Sequence, residues 1–244
     1  MIRSLLIDLD DTLLGNSLDT FMNQYFAILS RYAASKLDTS VFLPSLLSAT
    51  RSVISNVDPG LTNDQVFWQE FSQLTGRERS ELEPFFQRFY EEDFDRLKPY
   101  TELKPSAAIL MQTAADRGLA VIVATNPLFP LIAIHKRLAW AGISADVVDY
   151  ALITSYENMH SAKPRPEYYR EILTIIDSTP EQAIMVGDDW ENDISPALAA
   201  GLSAYWIAGE AAVPPSGGIL GHGSLEAFVD LVARGWLEEV DLTH

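Results

Sequence analysis

The sequence predicts an α/β fold interrupted after its first strand by an all-helical insert, and three observations carry that prediction. An apolar run, Leu5-Leu6-Ile7, reads as a buried strand that stops on the carboxylates Asp8, Asp10 and Asp11. From about Ser17 to Leu97 apolar residues recur with helical period, and no strand pattern interrupts them. After the turn-prone Lys98-Pro99-Tyr100 the pattern changes to short apolar β-type runs alternating with helical segments, the mark of an α/β domain.

Taken in order, residues 2–8 form the first strand. In the helical region Phe21, Tyr25, Ile28 and Tyr32 share one face, as do Phe67, Phe71 and Leu74, and then Leu82, Phe86 and Phe89. Pro44 suits the first turn of one helix, while Thr62 and Gly76 fit the N-cap and the C-terminal stop of another. The aromatics read as a helical bundle's core rather than a binding box. Beyond residue 100, strands are expected at Leu119–Ala124, Ala151–Thr154, Ala183–Val186 and Ala204–Ile207. Helices are expected near 105–117, 129–141, 165–176 and 224–234, and the Gly- and Pro-rich residues 209–223 read as a surface loop. No internal repeat is present.

Bulk composition narrows the function classes. A chain of 244 residues with 48% hydrophobic and 21% charged residues can bury a substantial core. Its formal net charge of −17 argues against nucleic acid or an anionic membrane as partner, so an anionic substrate must meet local positive charge. The absence of cysteine excludes disulfides, thiolate metal sites and a cysteine nucleophile, and points to a cytoplasmic setting. No signal peptide is expected, since Arg3 and Asp8 bracket too short an apolar core. The longest uncharged stretch, Gly118 to Ile134, is broken by Asn126, Pro127 and Pro130 and is poorly suited to span a bilayer.

The chemistry concentrates at strand ends. Alternation puts Asp8 and Asp10 on one side of the extended chain, where two carboxylates repel unless a cation joins them. With a divalent cation, one carboxylate can serve as nucleophile and the other as proton carrier. The segment alone fits an Asp-rich turn or helix cap equally well. Val121-Ile122-Val123-Ala124 ends on Thr125-Asn126, a hydroxyl and a backbone N–H that can hold an anion or simply cap a strand. Lys163 lies in the proline-extended Ala162-Lys163-Pro164-Arg165-Pro166, where a lone lysine is commonly solvated. Ala183-Ile184-Met185-Val186 ends on Gly187-Asp188-Asp189, with Asp193 following, which fits either an acidic helix start or an oxygen-ligand metal site. His135, His160, His222 and His244 fit no metal or triad spacing.

With four such motifs in order, the chain resembles the haloacid dehalogenase superfamily, in its helical-cap phosphatase branch. Asp8, Asp10 and Thr12 match the Asp-x-Asp-x-Thr segment, Thr125 the strand-end hydroxyl, Lys163 the Lys-Pro segment, and Gly187, Asp188 and Asp193 the final acidic motif. The resemblance covers residues 1 to about 208. It implies a doubly wound, mainly parallel, Rossmann-like core over residues 1–15 and 98–244, with 16–97 as an inserted helical cap. It further implies an Mg²⁺-dependent phosphatase acting on a small phosphorylated metabolite. Asp8 would be the nucleophile and Asp10 the acid/base, with Thr125 and Lys163 completing the catalytic set. Thr12, Thr125, Asn126 and Lys163 would bind substrate. Asp8, the Asp10 main-chain carbonyl and Asp188 would hold the metal, with Asp189 and Asp193 in support.

Two departures and two alternatives accompany this reading. Asp11 stands where the family often has Gly, and Pro127 removes a backbone donor from the phosphate loop. Asp10 points to phosphate esters, because family members that cleave carbon–halogen bonds lack an acid there. A phosphomutase resembling β-phosphoglucomutase would use the same Asp8 chemistry, and a catalytically silent binding module could share the fold. The joints Leu14-Gly15-Asn16 and Lys98-Pro99-Tyr100 suggest a mobile lid, with Gly15 supplying backbone freedom.

Overall fold

The computed structural model describes residues 1–239; His244 and the end of the expected core lie outside them. The chain runs β1 (Ser4–Ile7), β2 (Leu14–Asn16), α1 (Leu18–Ala33), α2 (Thr39–Ser55), α3 (Asn63–Thr75), α4 (Arg79–Glu92), a 3₁₀ segment (Phe94–Tyr100) and β3 (Thr101–Leu103). It continues through α5 (Pro105–Asp116), β4 (Ala120–Val123), α6 (Leu131–Trp140), β5 (Leu152–Ile153), α7 (Pro166–Ile175), β6 (Ala183–Gly187) and α8 (Ser195–Ala199). The last described elements are β7 (Ser203–Ile207), β8 (Gly221–Gly223), α9 (Leu225–Ala233) and α10 (Trp236–Glu239).

Six strands form one parallel sheet in the order β5-β4-β1-β6-β7-β8. Alternation along β1 sends Leu5 and Ile7 into a core shared with α5, α6 and α9, and Leu6 into a second core shared with α7 and α8. Helices therefore cover both faces, as the fully buried β1 and β6 require. From β1 the chain first builds outward through β4 and β5, then returns to build the other side from β6. This reversal opens a crevice at the carboxyl ends of β1, β4 and β6, the place where such sheets bind ligands.

The expected helices and strands of the sheet domain are present within a residue or two at each end. Thr62 does open α3, in a capping box with Gln65, and Gly76 closes it with φ 65°. Pro44 is a correction: it lies inside α2, because Asp38 caps that helix by accepting from the Ser40 amide at 2.8 Å and so starts it a turn earlier. Leu74 is another, being 42% exposed while Trp68 and Phe71 carry the buried face of α3. Within the expected surface loop, residues 221–223 form β8, an edge strand on β7.

The expected joints are more ordered than turns. Leu14, Gly15 and Asn16 pair antiparallel with Leu103, Glu102 and Thr101, so β2 and β3 make a two-stranded ribbon at the base of the insert. Such short strands carry too little apolar periodicity to read from sequence. Gly15 is needed for close approach rather than for an unusual φ, since a Cβ there would sit 3.1 Å from the Glu102 Cβ and carbonyl oxygen. The four insert helices pack around Phe42, Phe71, Phe86 and Phe89 and meet the core where Phe94 stacks on Trp140 at 5.3 Å. Among the described residues, no helix is long and apolar enough to cross a membrane.

Candidate active site

A cleft of about 640 Å³ opens at the crevice and is lined by Asp8, Asp10, Thr125, Asn126, Lys163 and Asp188, among others. Asp8 follows β1 directly, its amide donating to the Val186 carbonyl at 2.9 Å. Lys163 is 2% exposed and donates to Asp8 Oδ1 at 2.7 Å and to Asp193 Oδ1 at 2.5 Å. Burial opposes the lysine's charge, but Asp193 and Asp8 outweigh it and hold the ammonium well above the ordinary lysine value.

The carboxylates have the opposite problem. Burial pushes Asp8 up to about 7 against the pull of Lys163, with Asp193 and Asp10 adding repulsion. Asp188 is likewise raised to about 7, first by burial and then by Asp8, with the Thr12 hydroxyl working the other way. Asp193 is raised by burial as well. One lysine therefore does not neutralise the cluster. Oxygens of Asp8, Asp188 and Asp193 lie within 4.8 Å of one another, an all-oxygen donor set of the kind that suits a hard divalent cation. Both Asp193 oxygens are engaged, Oδ1 by Lys163 and Oδ2 by the Asp189 amide, whereas Lys163 takes one oxygen of Asp8, which leaves Asp8 and Asp188 as the side chains best able to hold one.

The turn after β6 is built to place these groups. Gly187 leaves no room for a side chain, since a Cβ there would collide with the Asp193 carboxylate. Asp189 accepts from the Glu191 and Asn192 amides at 2.9 and 3.0 Å, capping the turn, while its own amide donates to Asp193 Oδ2 at 3.1 Å. The Trp206 indole donates to the Asp188 carbonyl at 2.8 Å. Beyond β4, the hydroxyls of Thr154, just after β5, and Tyr168, on α7, both donate to the Thr125 carbonyl, at 2.9 and 2.8 Å, and fix the phosphate-side loop. Among the described residues, the buried Asn126 Oδ1 has no partner.

Two sequence readings change here, and a third residue gains an explanation. Thr12 is fully buried and donates its hydroxyl to Asp188 Oδ1 at 3.0 Å, so it orients a carboxylate instead of facing substrate. Asp10 turns its carboxylate away from the acidic cluster: Oδ1 accepts from Asn16 Nδ2 at 3.0 Å and Oδ2 from Arg137 Nη1 at 2.5 Å. Asp11 has φ 56°, which explains why glycine is common at such a position; Asp tolerates this region better than most residues.

Asn16 and Arg137 were not among the expected site residues. Arg137 is 1% exposed, lies over the Phe129 ring at 4.7 Å, and leaves Nε and Nη2 without partners among the described residues. The signal that could have found it is helical spacing, which puts it on the buried stripe of α6 with Ala133, Ile134 and Leu138, where an arginine calls for a carboxylate. Asn16 carried no comparable pattern. His160 pairs with Glu171 at 2.7 Å outside the cleft.

Comparison with known proteins identifies the family. A model of the haloacid dehalogenase-like hydrolases matches residues 2–201. The chain belongs to the haloacid dehalogenase-like hydrolase family. Within that family it is 27% identical over 224 residues to a phosphoserine phosphatase of Thermus thermophilus, covering 84% of this chain and 88% of that one. It is 24% identical over 207 residues to the pyrophosphatase PpaX of Bacillus pumilus, covering 85% and 83%. A 2-haloacid dehalogenase structure from Pseudomonas syringae shares the fold, with a TM-score of 0.59 and 18% identity over 96% of this chain and 100% of that one.

Proposed function

We propose that this hydrolase is an Mg²⁺-dependent phosphatase that cleaves a small phosphomonoester through a phosphoaspartyl intermediate on Asp8. The observation that carries the reading is an acid, Asp10, held at the mouth of the cleft by Asn16 and Arg137, beside a lysine-bound Asp8. A carbon–halogen bond releases halide and needs no proton donor, whereas an ester releases an alkoxide that does. The names of the two similar enzymes support phosphate chemistry. Asp8, the main-chain carbonyl of Asp10 and Asp188 would hold Mg²⁺, which would offset the charge of phosphate against the acidic cluster.

In the first step an Asp8 oxygen attacks phosphorus and the ester P–O bond breaks, while Asp10 gives its proton to the leaving oxygen. Asp10, now a carboxylate, takes a proton from water as that water attacks the phosphoaspartate, and Asp8 is regenerated as inorganic phosphate leaves. Lys163, Thr125 and the Asn126 amide hold the phosphoryl oxygens, and Asp193 positions Lys163. Residues 16–97 act as the cap over a core of residues 1–15 and 98–244, in a cytoplasmic enzyme.

Asp8→Asn tests the proposal. It keeps the shape of the side chain but removes the nucleophile, so turnover should fall by several orders of magnitude with the melting temperature little changed. Substantial residual turnover would overturn the assignment. Release of inorganic phosphate, rather than transfer to a second hydroxyl, separates this reading from a phosphomutase.

A further inference from the structure

Between the insert helices and the core loops lies a second cavity of about 210 Å³, and the residues Met22, Leu128 and Phe129 line both it and the catalytic cleft. Its walls are aromatic and aliphatic, chiefly Phe42, Phe67, Trp68, Phe71 and Leu46. The aromatics of the bundle core, as expected from sequence, also bound this space. An apolar cavity of about 150 Å³ is enough to take up a benzene ring.

The charged groups on its wall are already engaged, while the buried Trp68 indole N–H has no partner among the described residues and is a donor that a ligand hydroxyl or ester oxygen could meet. Arg79 donates to Asp64 at 2.6 Å and Glu83 at 2.8 Å, and Glu157 accepts the Leu131 amide at 3.0 Å with each oxygen. The Tyr25 and Tyr90 hydroxyls bond each other at 2.8 Å. No charged side chain of the wall is left to demand a charged ligand. The catalytic cleft itself offers Lys163 to the phosphoryl group, and seven aspartates repel any second anion.

We infer that this chamber receives the leaving group of the substrate, and that this group is an uncharged apolar alcohol, alkyl or aryl, of about five to eight carbon atoms. The inference rests on the phosphatase reading above and names its substrate class. Phe129 lines both cavities and also packs against Arg137, which binds Asp10, so the proton donor in the cleft is linked through one arginine to the wall of the chamber.

A series of straight-chain alkyl phosphates from ethyl to octyl tests this, because the leaving groups share one intrinsic reactivity. With Mg²⁺ present, kcat/KM should rise about three- to fourfold per methylene until the chamber fills. Leu46→Trp and, separately, Thr50→Trp, both on the chamber wall, should flatten the series. Binding of 4-propylphenol to the metal-free protein, followed by calorimetry, reads the chamber without catalysis. A flat series in an active wild-type enzyme overturns the inference and spares the phosphatase reading. Inactivity on every ester, with 4-propylphenol bound by wild type and not by the tryptophan variants, overturns the phosphatase reading and spares the chamber. A preference for phosphocholine over hexyl phosphate would mean that the aromatic walls recognise a cation, and would also overturn the inference.

Discussion

At the scale of single residues, the cleft is a cluster of acids held short of cations, and its protonation follows from that. Asp8 and Asp188 are each raised to about 7 in the metal-free fold, first by burial and then by their neighbours. An aspartate raised in the folded state costs stability above that pKa and nothing below its unfolded value near 3.8. The metal-free protein should therefore gain stability as pH falls through about 7, and added Mg²⁺ should stabilise it more at about pH 8 than at about pH 6. Calorimetry in buffers of different ionisation enthalpy should record proton release on Mg²⁺ binding at about pH 6, fading above about pH 8. Uptake of protons would contradict the assignment of these two carboxylates as ligands. Arg137 invites a second test, since its guanidinium is buried with Asp10 as its hydrogen-bond partner. Arg137→Met keeps most of the volume and frees Asp10, so kcat should drop about 10- to 100-fold while KM stays nearly constant. A KM effect alone would make Arg137 a substrate contact rather than a residue that positions Asp10.

At the scale of elements, the N-terminus of α3 fastens the insert to the loops around the cleft. The Asn63 amide donates to the Met159 carbonyl at 2.8 Å, and its side chain donates to the carbonyls of Ser161 at 3.1 Å and Pro127 at 3.3 Å. The Asp64 amide adds a bond to the Tyr156 carbonyl at 2.8 Å. Asn63→Ala leaves two buried carbonyls unpaired and should cost about 1–3 kcal/mol. Hydrogen exchange should quicken at residues 63–64 and 156–161, and KM should rise because Pro127 follows the phosphate loop. Unchanged exchange and melting temperature would show that the fastening lies elsewhere, as in the stacked Phe94 and Trp140. These elements also show what a sequence reveals. The strands β1, β4 and β6 announce themselves because they are buried almost throughout and nearly all apolar, and β7, though half-buried, is apolar after Ser203. By contrast β2, β3 and β8 are three-residue strands whose pairing is decided by partners distant in sequence or by the sheet edge. Pro44 misled because a proline's preference for a first turn is weak beside a cap such as Asp38.

At the scale of the whole molecule, the same limit applies to function. Asp8 and Asp188 are legible because each follows an apolar strand, whereas Lys163 and Asp193, locally readable as a solvated lysine and an acidic helix start, enter the site only through the family resemblance. The holding of Asp10 by Arg137 and Asn16, and the cavity inside the insert, depend on contacts between parts of the chain that no local pattern connects. Charge, in contrast, is readable from composition alone and yields a last prediction. The chain carries a formal charge of −17, and the cleft presents Asp8, Asp10, Asp11, Asp19, Asp188, Asp189 and Asp193 with Lys163. Such a field draws in Mg²⁺ and repels a phosphate ester, and both effects weaken as salt shortens the screening length from about 30 Å at 0.01 M to about 8 Å at 0.15 M. Raising ionic strength over that range should therefore weaken Mg²⁺ binding and, at saturating Mg²⁺, lower KM for the phosphate ester, with kcat little altered. The two constants should move in opposite directions in one titration. If KM for the ester rose with salt as well, substrate would be entering through a local positive field stronger than the acidic surround, and the single lysine would not be its only source.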